Sequence, residues 1–181
     1  MPDPCAIRRR FARWLCMLCL LSCSSAFGNW QEHLPEARLV GSGELRLFGL
    51  RIYSARLWSP AQPLGVDSPI ALELTYHRAI SREQLVDASV REIRRLYGDA
   101  LGAAQLAGWR EQMLQAFVDV EPGSRITGVH LPGQGARFYV GRELQHEVRD
   151  HDFARAFFAI WLDPRTRNPE LRAQLLGAAA R

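Results

Sequence analysis

The sequence predicts an α+β fold, an antiparallel sheet with helices packed on one face. Three observations carry this. Two runs rich in apolar residues, Arg38–Phe48 and Leu50–Trp58, adjoin at Phe48-Gly49 and read as paired strands. Ile70, Leu72, Leu74 and Tyr76 then alternate with Ala71, Glu73, Thr75 and His77, the period of a half-buried strand. Two helical stripes, more short strands and two further capped helices follow. Strands, helices, strands and helices in blocks point to α+β, not to a βαβ series.

Each element has a local reason. Asn29–Ala37 reads as a polar lead-in, and Ser59–Pro69, with three prolines and a glycine, as a loop. Ser81-Arg-Glu-Gln84 is a capping box: the serine hydroxyl accepts an orphan N–H and the glutamine side chain returns to the serine amide. The helix it opens carries Leu85, Val86, Ser89, Val90, Ile93 and Leu96 as its apolar stripe and ends near Tyr97-Gly98. Arg91, Glu92, Arg94 and Arg95 are expected on its wet side. A second helix over about 103–117 presents Leu106, Trp109, Met113, Leu114 and Phe117. Pro132-Gly-Gln-Gly135 joins strands 125–131 and 136–140 as a hairpin, and a strand 144–148 follows. Asp150 or Asp152 caps a helix with Phe153, Phe157, Phe158 and Trp161 on one face, which Pro164 stops. Asn168-Pro169-Glu170 starts the last helix, with Leu171, Leu175 and Leu176 as its stripe and Gly177 as its C-cap.

At 181 residues the chain suits one domain with a single core. Its N-terminus reads as an export signal over residues 1–28. Arg8, Arg9, Arg10 and Arg13 precede the apolar run Trp14–Leu21, and small residues follow. The run is too short for a permanent span. Two alternatives stay open. Arg8-Arg9-Arg10-Phe11 suits twin-arginine export, and Leu20-Leu-Ser-Cys23 resembles a lipobox. The remaining domain, 29–181, has 19 arginines against 18 acidic residues and no lysine, so the basic balance belongs mostly to the leader and nucleic-acid binding loses its support. All four cysteines (Cys5, Cys16, Cys19 and Cys23) lie in the leader, which leaves the domain without a disulfide, a thiolate metal site or a cysteine nucleophile. Expected location is periplasmic.

Four blocks carry a resemblance: Gly41–Trp58 (GSGELRLFGLRIYSARLW), Ala71–Val86, Phe117–Leu144 and Asp152–Gly177. In this order they resemble the exported bacterial branch of the chalcone isomerase-like proteins. The resemblance implies an open-faced β-sandwich, a curved antiparallel sheet with helices over it and a ligand cleft between. The plant enzymes of this family cyclise chalcones without a cofactor. They use an arginine on an early strand, a threonine on the next, and a tyrosine and a lysine near the start of the following helix. Other members bind fatty acids, with the early arginine and a strand tyrosine on the carboxylate. Arg46 stands where the early arginine is expected and Tyr53 at the second-strand position. The helix positions for the enzyme's tyrosine and lysine are Leu85 and Ala88.

Two functions from different classes follow. The first is a non-catalytic binder of a small amphipathic carboxylate such as a fatty acid, with Arg46 on the charge, Tyr53 donating a hydrogen bond, and Tyr76, near the helix start at Ser81, in the same site. The second is a cofactor-independent isomerase or intramolecular lyase with Tyr53 or Tyr76 as its acid or base. A ligand-free envelope scaffold is the third reading. No metal is implied, since His146, His151 and Asp150 lack a recognised ligand spacing, and Gly41-Ser-Gly43 lacks the third glycine of a dinucleotide loop. The hairpin decides the site. A two-residue turn at Phe48-Gly49 pairs Arg46 with Arg51 and puts Tyr53 on their face. A three-residue turn pairs Arg46 with Ile52 and sends Tyr53 to the face of Leu45 and Leu47. In the plain reading these arginines line the wet face of the sheet.

Overall fold

The computed structural model describes residues 29–65 and 67–177. The expected export signal, the four cysteines and the lipidation alternative at Cys23 all fall on residues 1–28, outside the described residues. Six strands form one antiparallel sheet in chain order: β1 (Arg38–Leu47), β2 (Leu50–Ser59), β3 (Ile70–Tyr76), β4 (Arg125–Leu131), β5 (Gly135–Val140) and β6 (Glu143–Val148). Between β3 and β4 the chain makes α1 (Arg82–Tyr97) and α2 (Ala103–Ala116). After β6 come α3 (His151–Leu162) and α4 (Pro169–Leu175).

Two of the expected caps form their hydrogen bonds, whereas Asn168 stands at the start of α4 without a side-chain bond and Leu176, not Gly177, is its C-cap. Ser81 accepts from Gln84 N while the Gln84 side chain accepts from Ser81 N. Asp150, not Asp152, caps α3, accepting from Phe153 N at 2.9 Å. Its other carboxylate oxygen accepts from Trp109 Nε1 at 2.8 Å, which ties α2 to the start of α3.

The inward residues of the strands meet the helices in one apolar core. Ala55, Leu57, Leu72, Ile126 and Phe138 pack under Val86, Ile93, Met113, Phe153 and Phe157. The opposite sheet face is not bare. Asn29–Ala37, expected to be a polar lead-in, places Trp30 and Leu34 in a second small core against Ala71, Val129 and Tyr139. Two apolar side chains five residues or fewer apart suffice to anchor a short segment, and no helical or strand period announces them. All elements and both cores close within residues 29–177. Among the described residues no helix is long and apolar enough to cross a membrane.

Candidate functional site

The β1–β2 hairpin combines the two registers that the sequence leaves open. Phe48 and Gly49 form a two-residue turn with φ of 51° and 80°, and Arg46 pairs with Arg51. Ile52 is then an extra residue in β2, because the next partners are Leu45 and Tyr53. A bulge of one residue reverses the alternation behind it. Tyr53 therefore shares the inward face with Leu45, as a three-residue turn would have placed it.

Arg46 and Arg51 stay on the outer face. Both guanidinium groups hold Glu44, at 2.7 Å from Arg46 and as a short contact from Arg51. These partners keep the Glu44 carboxyl below its ordinary range against the opposing effect of desolvation. Arg56 continues the row, beside the buried Glu73, which also faces Arg125. Here the plain reading of the arginines describes the structure. Like charges side by side need an anion between them, and the protein's own carboxylates supply it.

On the inner face a cavity of about 540 Å³ lies between the sheet and the helices. Its floor is Leu72, Leu74, Ile126 and Gly128, its roof is α1, and its far wall is Phe157, Phe158 and Trp161 of α3. The stripe of α3 thus serves both as core and as cavity wall. The exposed lining residues mark the mouth: Leu47 at the hairpin, Gln84, Ala88 and Arg91 on α1, and Arg167 in the α3–α4 loop. Arg91 and Glu92 belong to this rim rather than to a remote wet face. The cavity lining on α1 thus extends past the apolar stripe to the neighbouring positions Gln84, Ala88 and Arg91.

Tyr53 and Tyr76 come together in this cavity, paired across the strands with ring centroids 6.0 Å apart and edge to face. Arg46 is not among the lining residues. The Tyr53 hydroxyl accepts a hydrogen bond from Trp161 Nε1 at 2.9 Å, which leaves its own proton to donate. Burial pushes Tyr53 up to about 12, opposed in part by the indole, and raises Tyr76 further, with a smaller push from Tyr53. Both phenols are neutral donors at ordinary pH.

The rim is held by the loop that sequence reasoning passed over. Thr166 donates to the Ile160 carbonyl at 2.8 Å, and Arg165 reaches the Leu96 carbonyl at 2.9 Å. These bonds set Arg167, whose Nε lies 2.7 Å from Glu92. Glu92 also pairs with Arg95 at 2.8 Å. Two arginines against one carboxylate leave the rim short of anions, and Arg91 makes no ion pair among the described residues. Only the spacing of Arg165 and Arg167 around Thr166 could have signalled this, and that spacing alone has no meaning without the fold. Among the described residues no cluster of three His, Asp or Glu side chains is placed to hold a metal.

Leu85 and Ala88 both line the cavity. The positions at which the resemblance puts the enzymes' tyrosine and lysine are therefore real cavity positions, filled by apolar groups.

Comparison with known proteins agrees with this architecture. A family model described as chalcone isomerase-like matches residues 38–177. The crystal structure of a fatty-acid binding protein of Arabidopsis thaliana superposes with a TM-score of 0.60 at 14% identity, covering 80% of this chain and 89% of that one. At that identity the likeness speaks for the fold. No curated protein matches the sequence.

Proposed function

The chain belongs to the chalcone isomerase-like family, and on that premise we propose that it binds a small amphipathic carboxylate, such as a fatty acid, in the cavity between sheet and helices. The carrying observation is the cavity itself: apolar walls, two neutral phenols inside and unbalanced arginines on the rim. Its size falls in the range of about 300–1,000 Å³ usual for small-molecule sites. An apolar tail gains by leaving water for these walls. A carboxylate pays heavily for burial without a cation. The acid therefore enters tail first, its carboxylate at the mouth within reach of Arg91 and Arg167, with Tyr53 donating from inside.

Binding is favoured over cyclisation on two grounds. A cyclase would need a group that moves protons near neutral pH, and burial holds both cavity phenols well above that range. Leu85 and Ala88 also remove the two helix groups that the plant enzymes use. The location we propose with this function is the periplasm, supported by the basic-then-apolar pattern of residues 1–28. Detection of the tagged chain in the cytoplasmic fraction alone would count against it.

Titration with a dansylated undecanoic acid tests the site. Arg167→Ala should weaken binding about tenfold, the worth of a charge-assisted contact, and Arg46→Ala should leave it unchanged. The reading fails if wild type neither binds the probe nor carries a fatty acid by native mass spectrometry.

A further inference from the structure

The tip of the β1–β2 hairpin is built against the usual chemistry of a soluble turn. Phe48 holds the first central position with φ of 51°, a region that Asn, Asp and Gly occupy at least cost. Its ring is wholly exposed, at 104% of the reference value. Leu47 and Leu50, paired beside it, are 47% and 51% exposed. Neither the turn geometry nor the core has a use for a phenylalanine here.

This apolar tip is continuous with the cavity, because Leu47 at the mouth and Ile52 behind it both line it. It is also set in positive charge. Behind it Arg46 and Arg51 share the single carboxylate of Glu44, and both arginine side chains remain more than half exposed. Across the mouth stand Arg91 and Arg167, with Glu92 between the latter and Arg95. Three apolar side chains are too few for a stable contact with a second copy, which needs on the order of 1,200 Å² of total buried area. They are enough for shallow, reversible insertion when basic residues surround them.

We propose that the Leu47–Leu50 tip inserts into the surface of an anionic phospholipid bilayer and brings the cavity mouth against it. An amphipathic ligand then passes between bilayer and cavity with its tail never fully in water. The inference rests on the cavity's holding such a ligand, and the two are tested separately.

The experiment is co-sedimentation of residues 29–181 with vesicles of phosphatidylcholine and phosphatidylglycerol, and with phosphatidylcholine alone. This segment holds all described elements and both cores. Wild type should sediment with the anionic vesicles and much less with the neutral ones, and added salt should release it. Phe48→Asn should lower the bound fraction about tenfold, as expected for removing one inserted aromatic ring. It should keep or raise the thermal midpoint, because Asn suits the left-handed position. It should also leave binding of the dansylated acid in solution unchanged. Docking is overturned if wild type binds the acid but ignores anionic vesicles, or if the Phe48→Asn protein sediments as well as wild type. It is equally overturned if the substitution only dissolves a dimer. Vesicle binding without acid binding would instead retain the docking surface and remove the ligand reading.

Discussion

At the residue scale the site turns on where burial leaves polar groups. The resemblance alone pointed to Tyr53, which does line the cavity, and nothing pointed to its partner. The Trp161 indole lies 108 positions away and reads as plain core. Arg46 was legible as a strand arginine, yet its face depends on one unpaired residue, Ile52, that no side-chain pattern marks. A third buried group lies beside the cavity wall. His130 is buried on β4, stacked on Phe158 at 5.5 Å and facing His151 at 6.4 Å. Burial, then the neighbouring His151, hold its pKa below the ordinary 6.5, and Arg155 adds to this while Asp67 opposes it. The unfolded chain therefore takes up this proton more readily than the fold does. Stability from this group is full above pH 6.5 and declines as the pH falls below it. His33 is shifted in the same direction, chiefly by burial and then by Arg137. The thermal midpoint of wild type should fall between pH 7.5 and 5.5, and His130→Leu should make that slope shallower. An unchanged slope would assign the whole effect to other groups.

At the element scale the question is what holds the edge strand and the rim together. At Gly41-Ser-Gly43, α4 packs directly on the backbone of β1. A methyl group added at Gly41 would run into the Gln174 carbonyl and stand 2.7 Å from that of Leu175 and 2.9 Å from Gly177 N. At Gly43 it would meet the side chains of Gln174 and Leu171 instead. Backbone cannot rotate away and side chains can. Gly41→Ala should therefore cost about 1–3 kcal/mol by urea denaturation, as overpacking does, and Gly43→Ala less. Equal losses would show that α4 simply shifts as a body. Helices, caps and most strands were legible from the sequence because each depends on neighbours within a turn or a strand. Ser81-Arg-Glu-Gln84 and the alternation from Ile70 to Tyr76 are examples. The bulge at Ile52, the close approach of α4 and the anchors Trp30 and Leu34 were not. Each answers to a partner distant in the chain, and a single sequence carries no record of that partner.

At the scale of the whole molecule the sheet–helix layer is packed at one end and hollow at the other. Phe138, Phe153, Phe157, Trp109 and Met113 fill the β5–β6 end with edge-to-face aromatic contacts. The β1–β4 end holds the cavity, bounded by Phe138 and Phe157 on the packed side, and its walls lack the contacts that close-packed side chains normally make. Such a fold gives up stability where it keeps room for a ligand, and binding should return it. A ligand that binds only the folded state at about 100 times its Kd adds about 2.7 kcal/mol. Leu74 points from the middle of β3 into this space. Leu74→Trp should fill part of it and raise the midpoint of the ligand-free protein, because the added ring replaces missing contacts rather than displacing existing ones. The same change should abolish the rise in midpoint that decanoic acid gives wild type. Both effects come from one volume, so they should move together in thermal unfolding with and without the acid. A variant that gains stability yet still shifts with decanoic acid would place the acid elsewhere. One that loses stability would mean that the hollow closes in solution.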